Sequence, residues 1–188
     1  MIGKAIVIGA SAGGVQALSR ILPALPQGFS APILIVVHVP PRKDNALVDL
    51  FAKKCALTIK EAEDKEPLVA GTIYFAPPNY HLLVETDGML ALSSDEAVNH
   101  SRPAIDVLFE TAADAFGPAL TGIILTGANH DGAQGLRAVE AAGGIAIAED
   151  PAEAEVPTMP AAAIAACSSA RSMSLDQIIA FLQEPAAS

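Results

Sequence analysis

Ser11, His38 and Asp131 each follow an apolar run that is typical of a buried β-strand, the runs being residues 6–10, 33–37 and 123–127. A hydroxyl nucleophile, an imidazole base and a carboxylate that orients the base are the groups needed for hydroxyl attack on an acyl group. The carboxyl ends of parallel strands open into one crevice, so residues far apart in sequence can meet there. We therefore predict a catalytic triad, with Ser11 Oγ near one ring nitrogen of His38 and Asp131 near the other.

Each of the three residues also has a plainer structural interpretation. Ser11 could cap a helix that begins near residue 13, and Asp131 could cap the helix that follows it. His38 could hydrogen-bond a backbone carbonyl at the end of its strand. No single residue is decisive, but the coincidence of all three at one edge of one sheet favours the triad.

The segment Gly9-Ala10-Ser11-Ala12-Gly13 matches the Gly-x-Ser-x-Gly pattern of a nucleophile placed between a strand and a helix. Its small residues permit a sharp turn, and backbone N–H groups at the helix start can receive an oxyanion. The chain order is Ser, His, Asp, whereas α/β-hydrolases have Ser, acid, His. The order argues against an ordinary α/β-hydrolase.

Nucleotide binding is the main rival for this segment, because Gly9, Ser11 and Gly14 occupy the spacing of a dinucleotide fingerprint. Serine replaces the middle glycine, which crowds the approach of a pyrophosphate. The fingerprint also expects an acidic residue after the second strand, where His38 stands. Both features disfavour a nucleotide site.

The elements that must position these residues alternate between β-branched runs and Ala- and Leu-rich stretches. Long strands are predicted at residues 4–9, 32–39, 120–126 and 144–148, and helices at residues 13–25, 45–54, 101–116 and 133–142, with two further helical stretches near the C-terminus. Residues 72–75, 82–85 and 89–92 are predicted as short strands, the last two joined as a hairpin across Thr86-Asp87-Gly88.

This alternation predicts a single α/β domain over residues 1–188. Its expected architecture is a doubly wound, mainly parallel sheet flanked by helices, with an antiparallel β-hairpin. Hydrophobic residues make up 52% of the chain and aromatic residues 4%, so aliphatic side chains must fill the core.

Composition excludes several classes of function. The formal net charge is −10, so a basic face for nucleic acid is not expected. The longest apolar runs, residues 5–12 and 31–39, are far below the ~20 residues of a membrane-spanning helix, and no secretory leader is evident. Cys55 and Cys167 form neither a disulfide framework nor a metal-binding spacing. We expect a cytoplasmic protein with no metal, no membrane insertion and no nucleic-acid partner.

Three segments resemble the catalytic domain of the chemotaxis methylesterase CheB. Residues 8–14 resemble its nucleophile segment, residues 37–40 its histidine segment and residues 125–132 its aspartate loop. Further matches follow in the same order and spacing, at residues 74–78, 81–82, 100–103, 106–109, 150 and 159–160. The resemblance therefore covers residues 6–164.

The resemblance implies hydrolysis of glutamate methyl esters on the cytoplasmic helices of methylated chemoreceptors, with release of methanol, and in some members deamidation of glutamines. Ser11 would attack, His38 would carry the proton and Asp131 would hold the imidazolium. No metal or organic cofactor is implied. The N–H groups of Ala12 and Ala128 are expected to bind the oxyanion, and substrate contacts are assigned to His100 and Arg102, with His81, Arg42 and Lys43 as further candidates.

Departures from the family pattern are confined to a few positions. The aspartate loop commonly reads Thr-Gly-Met-Gly-x-Asp-Gly, whereas here Ala128 and Asn129 replace Met and Gly, and Ala12 replaces a frequent Thr. Because the resemblance begins at the first strand, we expect either a stand-alone form without the phosphorylatable receiver domain or a trimmed chain. The regulatory partner stays unassigned. An esterase or amidase for another substrate, or a non-catalytic signalling module, are the alternatives.

Overall fold

A parallel sheet of seven strands forms the centre of the protein. The computed structural model describes residues 3–38 and 46–184. The strands are β1 (Ala5–Ala10), β2 (Ile33–Val37), β3 (Thr58–Glu61), β4 (Thr72–Phe75), β5 (His81–Val84), β6 (Leu90–Ser93), β7 (Leu120–Ile124), β8 (Ile145–Glu149) and β9 (Arg171–Met173). The helices are α1 (Gly14–Ile21), α2 (Ala46–Ala52), α3 (Ile105–Phe116), α4 (Ala133–Ala141), α5 (Thr158–Ala166) and α6 (Leu175–Gln183).

The strand order confirms the predicted fold class. The main sheet runs β3-β4-β2-β1-β7-β8-β9 with every neighbouring pair parallel, while β5 and β6 form a separate antiparallel pair. The chain leaves β1 toward β2 on one side and later returns to β7 on the other. The reversal places a crevice at the carboxyl ends of β1 and β7, which is where doubly wound sheets bind ligands.

Helices cover both faces of the sheet, and alternate strand residues belong to different cores. Ile6 and Ile8 pack with the face that carries α1 and α6, whereas Val7 packs with the face that carries α3, α4 and α5. All residues of β1 and β2 are buried. Strands buried on both faces read as continuous apolar runs, which is why these two strands were recognisable in the sequence.

Strand register brings Ser11 next to His38. The last paired residues of β1 and β2 are Ala10 and Val37, and the N–H of His38 still donates to the carbonyl of Ala10 at 3.0 Å. Ser11 and His38 therefore continue the ladder by one position, on neighbouring strands roughly 4.8 Å apart. Side chains alternate along a strand, so both point to the face that carries α3 and α4.

Glycine at position 9 lets α3 approach β1 closely. A Cβ atom on Gly9 would lie 2.9 Å from Ile105 Cδ1 and closer still to Ile105 Cγ2. Ile105 is the first residue of α3. The missing side chain thus allows the N-terminus of α3 to sit directly over the strand that carries Ser11.

Two edge strands were not predicted from the sequence. β3 contains Lys60 and Glu61 and is only partly buried, and β9 is the three-residue segment Arg-Ser-Met. Edge strands lack the continuous apolar run that marks the central strands. Their pairing with β4 and β8 is therefore not visible in the local pattern.

The largest differences from the predicted helix bounds are at the end of α1 and the start of α3. α1 ends at Ile21 and continues as a 3-10 turn over Leu22–Ala24, because Pro23 has no N–H to extend the α-helical ladder. α3 begins at Ile105 and not at residue 101, since Val98 and Ser101 pair as an antiparallel bridge. None of the helices in the described ranges is long and apolar enough to cross a membrane.

Replacing Gly9 by alanine tests the close approach of α3. Gly9→Ala should destabilise the protein by about 1–3 kcal/mol, because the added methyl group overpacks against Ile105. The matched control is Gly28→Ala, where a Cβ atom meets nothing within 4 Å. Urea unfolding of both variants measures the difference, and equal unfolding free energies would disprove the packing argument.

Candidate active site

The carboxylate of Asp131 is fully buried, at 0% exposure, and accepts four hydrogen bonds. Its Oδ2 receives His38 Nε2 at 2.8 Å and the N–H of Ile105 at 2.6 Å. Its Oδ1 receives Asn99 Nδ2 at 2.9 Å and the N–H of Asp106 at 3.1 Å. Two of the donors belong to the first turn of α3, where the helix dipole favours a negative charge.

The environment keeps Asp131 ionised. Burial by itself raises the pKa of a carboxyl group, but the hydrogen bonds from His38 and from the other three donors outweigh it and lower the pKa of Asp131. A charged carboxylate is therefore held against one nitrogen of the His38 ring. This is the orienting partner that an imidazole base requires.

A second buried carboxylate, Asp106, links the start of α3 to the start of α4 by hydrogen bonds. Asp106 lies in the first turn of α3, and its Oδ1 accepts the N–H groups of Gly132 and Gly135 at the start of α4, at 3.0 and 2.7 Å. Asp131, just before α4, conversely accepts from the start of α3. Burial raises the pKa of Asp106, and the nearby Asp131 charge raises it further against its own hydrogen bonds.

Asn99 joins the two carboxylates. Its Nδ2 donates to Asp106 Oδ2 at 2.7 Å and to Asp131 Oδ1 at 2.9 Å. Asn99 and His100 both have positive φ, 52° and 62°, in the tight turn between Val98 and Ser101. Asparagine tolerates this left-handed region better than most residues, so the turn can aim its amide at the carboxylates.

The His38 ring is held at both nitrogens. Nε2 faces Asp131, and Nδ1 lies 3.1 Å from Asn129 Nδ2. The Oδ1 atom of Asn129 accepts the N–H of Asp131 at 3.0 Å, which fixes the orientation of the amide. The structure thus brings Asp131 to one ring nitrogen of His38, and it places Asn129 at the other.

The hydroxyl of Ser11 is not used as a helix cap. The N-cap of α1 is Gly13, with φ 80° and no side-chain hydrogen bond, so the capping interpretation of Ser11 is wrong. The backbone of Ser11 donates to the carbonyl of Thr126 at 2.9 Å and accepts from Gly14 at 2.8 Å. In the part of the chain that the structure describes, Ser11 Oγ does not hydrogen-bond to His38, whose Nδ1 is engaged by Asn129.

Ala12 and Ala128 lie in the loops that follow the adjacent strands β1 and β7. Both residues are exposed. Among the described residues, neither N–H donates to another backbone or side-chain group. Two free N–H groups at the carboxyl ends of adjacent strands are suited to receive an oxyanion.

Thr126 and Glu149 tie the two loops together beneath the crevice. Thr126 Oγ1 donates to the carbonyl of Ala12 at 2.9 Å and accepts the N–H of Val156 at 2.8 Å. The N–H of Thr126 donates to the buried Glu149 Oε2 at 2.8 Å. Burial raises the pKa of Glu149, and the hydrogen bond from Thr126 and the charge of Arg20 only partly compensate.

Two of the candidate substrate residues have structural partners. His81 is 2% exposed, its Nδ1 accepts the N–H of Ala104 at 3.1 Å and its Nε2 donates to the carbonyl of Glu96 at 2.9 Å. Arg102 Nη1 donates to the carbonyls of Ser94 and Asp95, both at 3.0 Å. These bonds brace the segment that carries Asn99.

His100 is exposed beside Asn99, with no side-chain partner among the described residues. Arg42 and Lys43 lie outside the described residues. Within residues 3–38 and 46–184, no three His, Cys, Asp or Glu side chains are grouped so that they could hold a metal ion.

Comparison with known proteins identifies the family. The model of the CheB methylesterase family matches residues 6–182. The chain belongs to the CheB methylesterase family. The crystal structure of the CheB methylesterase catalytic domain of Thermotoga maritima superimposes with a TM-score of 0.90 and 35% identity, over 97% of this chain and 98% of that chain.

Two relatives of this CheB-family chain differ in how much of their length it covers. A Leptospira interrogans protein, named as a candidate protein-glutamate methylesterase/protein-glutamine glutaminase, is 51% identical over 175 residues, which cover 93% of this chain and 91% of the relative. A protein-glutamate methylesterase/protein-glutamine glutaminase of Symbiobacterium thermophilum is 39% identical over 157 residues, covering 84% of this chain and 43% of the relative. The resemblance found in the sequence is thereby confirmed.

Asp131→Asn tests the buried carboxylate. One amide oxygen can replace only one acceptor atom, so two buried N–H donors lose their partner at roughly 1–3 kcal/mol each. We expect the unfolding free energy to fall by about 2–6 kcal/mol and turnover to fall by about 10⁴, the loss seen for the equivalent change in a serine protease. Unfolding in urea and initial rates on an ester substrate measure the two effects.

Asp106→Asn is the matched control, because Asp106 is also buried in this network but does not contact His38. It should lose stability while keeping much more activity. Equal activity losses in the two variants would argue that Asp131 acts only through folding.

Glu149→Gln tests the buried carboxylate beneath the loops. The pKa of Glu149 is higher in the folded state than in the unfolded state, where it is about 4.3. The contribution of Glu149 to stability is therefore fully present below the unfolded-state pKa and is lost as pH rises through the folded-state pKa. Glutamine keeps an acceptor for Thr126 and does not ionise. The variant should therefore match the wild type near pH 4 and exceed it in stability at pH 8.

Glu153→Gln is the control, because Glu153 is exposed and lies nearby in the sequence. It should change the free energy of unfolding by less than about 0.5 kcal/mol at either pH. Urea unfolding of each variant and of the wild type at pH 4 and pH 8 gives four differences in the free energy of unfolding. A Glu149→Gln effect that is the same at pH 4 and pH 8 would contradict the assigned ionisation.

Proposed function

We propose that the protein is a protein-glutamate methylesterase, a carboxylic ester hydrolase that removes methyl groups from glutamate side chains of chemoreceptors. The observation that carries the proposal is the contact of His38 Nε2 with a buried, ionised Asp131, at the strand end beside Ser11. Relatives that align over most of this chain carry the same activity in their names.

The proposed reaction proceeds through an acyl-enzyme. Ser11 Oγ attacks the ester carbonyl carbon while its proton passes to His38 Nδ1. The C–O bond to the methoxy group then breaks, and methanol leaves with the proton from His38. Water attacks the glutamyl–Ser11 ester with His38 again acting as base, which releases the glutamate carboxylate and regenerates Ser11.

Two groups of residues stabilise the charges that form. Asp131 offsets the positive charge of the imidazolium, and its buried position makes that interaction stronger than it would be in water. The N–H groups of Ala12 and Ala128 receive the negative charge on the tetrahedral carbonyl oxygen. The replacement of Met by Ala128 leaves this backbone donor available.

Glutamine deamidation is a second activity of the same site. The relative from Symbiobacterium thermophilum is also named a protein-glutamine glutaminase. The amide leaving group needs a proton in order to depart as ammonia, and His38 supplies it by the same route as for methanol. No further residue is required.

Receptor helices on the cytoplasmic side are the proposed substrate. The net charge of −10 disfavours long-range attraction to glutamate-rich helices, so recognition must come from local contacts. His100 is the best placed of the described candidates, because it is exposed beside the site. Arg102 contributes as a brace of the Asn99 turn, and Arg42 and Lys43 are further proposed cations.

Ser11→Ala should abolish methanol release from a methylated receptor fragment while leaving the unfolding free energy nearly unchanged, because the hydroxyl caps no helix. Ser174→Ala is the matched control. Ser174 caps α6 in a capping box, so Ser174→Ala should lower the free energy of unfolding by about 1 kcal/mol and leave methanol release unchanged. Methanol is quantified enzymatically and stability is measured in urea.

The outcomes separate the alternatives. Methanol release that survives in Ser11→Ala would exclude Ser11 as the nucleophile. A wild-type protein that hydrolyses simple esters but not the receptor fragment would point to another substrate for the same triad. Absence of both activities would favour a non-catalytic signalling module.

A further inference from the structure

Asn129 makes a bridge between the catalytic loop and the proposed base. Its Oδ1 accepts the N–H of Asp131 at 3.0 Å, and its Nδ2 lies 3.1 Å from His38 Nδ1. A backbone N–H can only donate, so the amide oxygen must face Asp131 and the amide nitrogen must face His38. The His38 ring is consequently held between two side chains of one loop, Asp131 at Nε2 and Asn129 at Nδ1.

These contacts define the protonation state of the ring. The amide nitrogen of Asn129 has no acceptor capacity, so Nδ1 must present its lone pair. The ring proton then lies on Nε2, where it is donated to Asp131 Oδ2 at 2.8 Å. His38 is held as the neutral tautomer whose free lone pair is on the nitrogen away from Asp131.

We propose that Asn129 is a positioning residue for the base, which keeps His38 Nδ1 unprotonated and ready to take the proton of Ser11. This inference rests on the proposed function, because it gives His38 the role of base. Asn129 acts in the opposite sense to Asp131. Asp131 stabilises the imidazolium, whereas the N–H of Asn129 stabilises the neutral ring and must leave Nδ1 when the proton arrives.

The bridge depends on the side chain of Asn129. A glycine at this position would have no side chain to contact His38 or to accept the N–H of Asp131. Asn129 therefore adds a restraint to a base that is 13% exposed. Such a restraint should matter most before substrate fills the crevice.

Two substitutions separate positioning from a local structural role. Asn129→Asp keeps an oxygen acceptor for the N–H of Asp131 but replaces the donor toward Nδ1 by a carboxylate, which would draw a proton onto Nδ1. Asn129→Ala removes both contacts. If the residue only shaped the loop, the aspartate variant would behave like wild type and the alanine variant would be impaired.

The readout is the rate constant for covalent labelling of Ser11 by a fluorophosphonate, followed by intact mass at a fixed pH of 7. We expect Asn129→Asp to react roughly 10–100-fold more slowly than wild type, because its carboxylate gains a charged hydrogen bond to a protonated Nδ1. Asn129→Ala should react roughly 5-fold more slowly, because it loses a neutral hydrogen bond. Wild-type labelling kinetics in Asn129→Asp would overturn the inference. Thermal unfolding of each variant checks that it is folded.

Nitrogen-15 NMR of labelled histidine tests the tautomer independently of activity. His38 should show a protonated Nε2 and a free Nδ1 in wild type, with a shift toward the doubly protonated ring in Asn129→Asp. His81 is the internal control, because the N–H of Ala104 also requires a free Nδ1 there and no variant touches it. A wild-type His38 protonated at Nδ1 would overturn the inference, whereas failure of wild-type labelling with the expected tautomer would refute only the proposed function.

Discussion

The carboxylate of Asp131 is removed from water, and a buried charge of this kind costs several kcal/mol unless hydrogen bonds replace its hydration. Its four donors come from His38, Asn99 and the first turn of α3, so all three segments must converge on one point. Several unrelated features follow from that requirement. Gly9 lacks a side chain so that α3 can lie against β1, the backbone at Asn99 takes a positive φ, and Asp106 turns to the start of α4.

The central sheet fixes the positions of Ser11 and His38. Ser11 and His38 sit one position beyond the last paired residues of β1 and β2, so strand register fixes their separation without a hydrogen bond between these two described side chains. Thr126 holds the carbonyl of Ala12 from the neighbouring strand, and Glu149 holds the N–H of Thr126. Rigid strands therefore define where the nucleophile and base lie, while the first turn of α3 stabilises the charge of Asp131 beside the base.

Much of this arrangement is visible in the sequence, because it depends on local pattern. Central strands read as apolar runs, and the polar residues that end them stand out, so the fold class and the meeting of His38 with Asp131 were predictable. The contacts of Asn99 and Asn129 were not predictable, because asparagine side chains form no periodic pattern in the sequence and only the fold shows which groups they face. The edge strands β3 and β9 lack apolar runs, and the start of α3 is set by Asp131, 26 residues away along the chain from Ile105.

A crystal structure of the wild-type protein inactivated by a phosphonate ester tests the central assignment most directly. We predict phosphorus bonded to Ser11 Oγ, with the phosphonyl oxygen about 2.7–3.1 Å from the N–H groups of Ala12 and Ala128. His38 should remain on Asp131 through Nε2, with Nδ1 turned from Asn129 toward the phosphonate. Phosphorus on any other residue, or a phosphonyl oxygen pointing away from both N–H groups, would contradict the catalytic role given to this crevice.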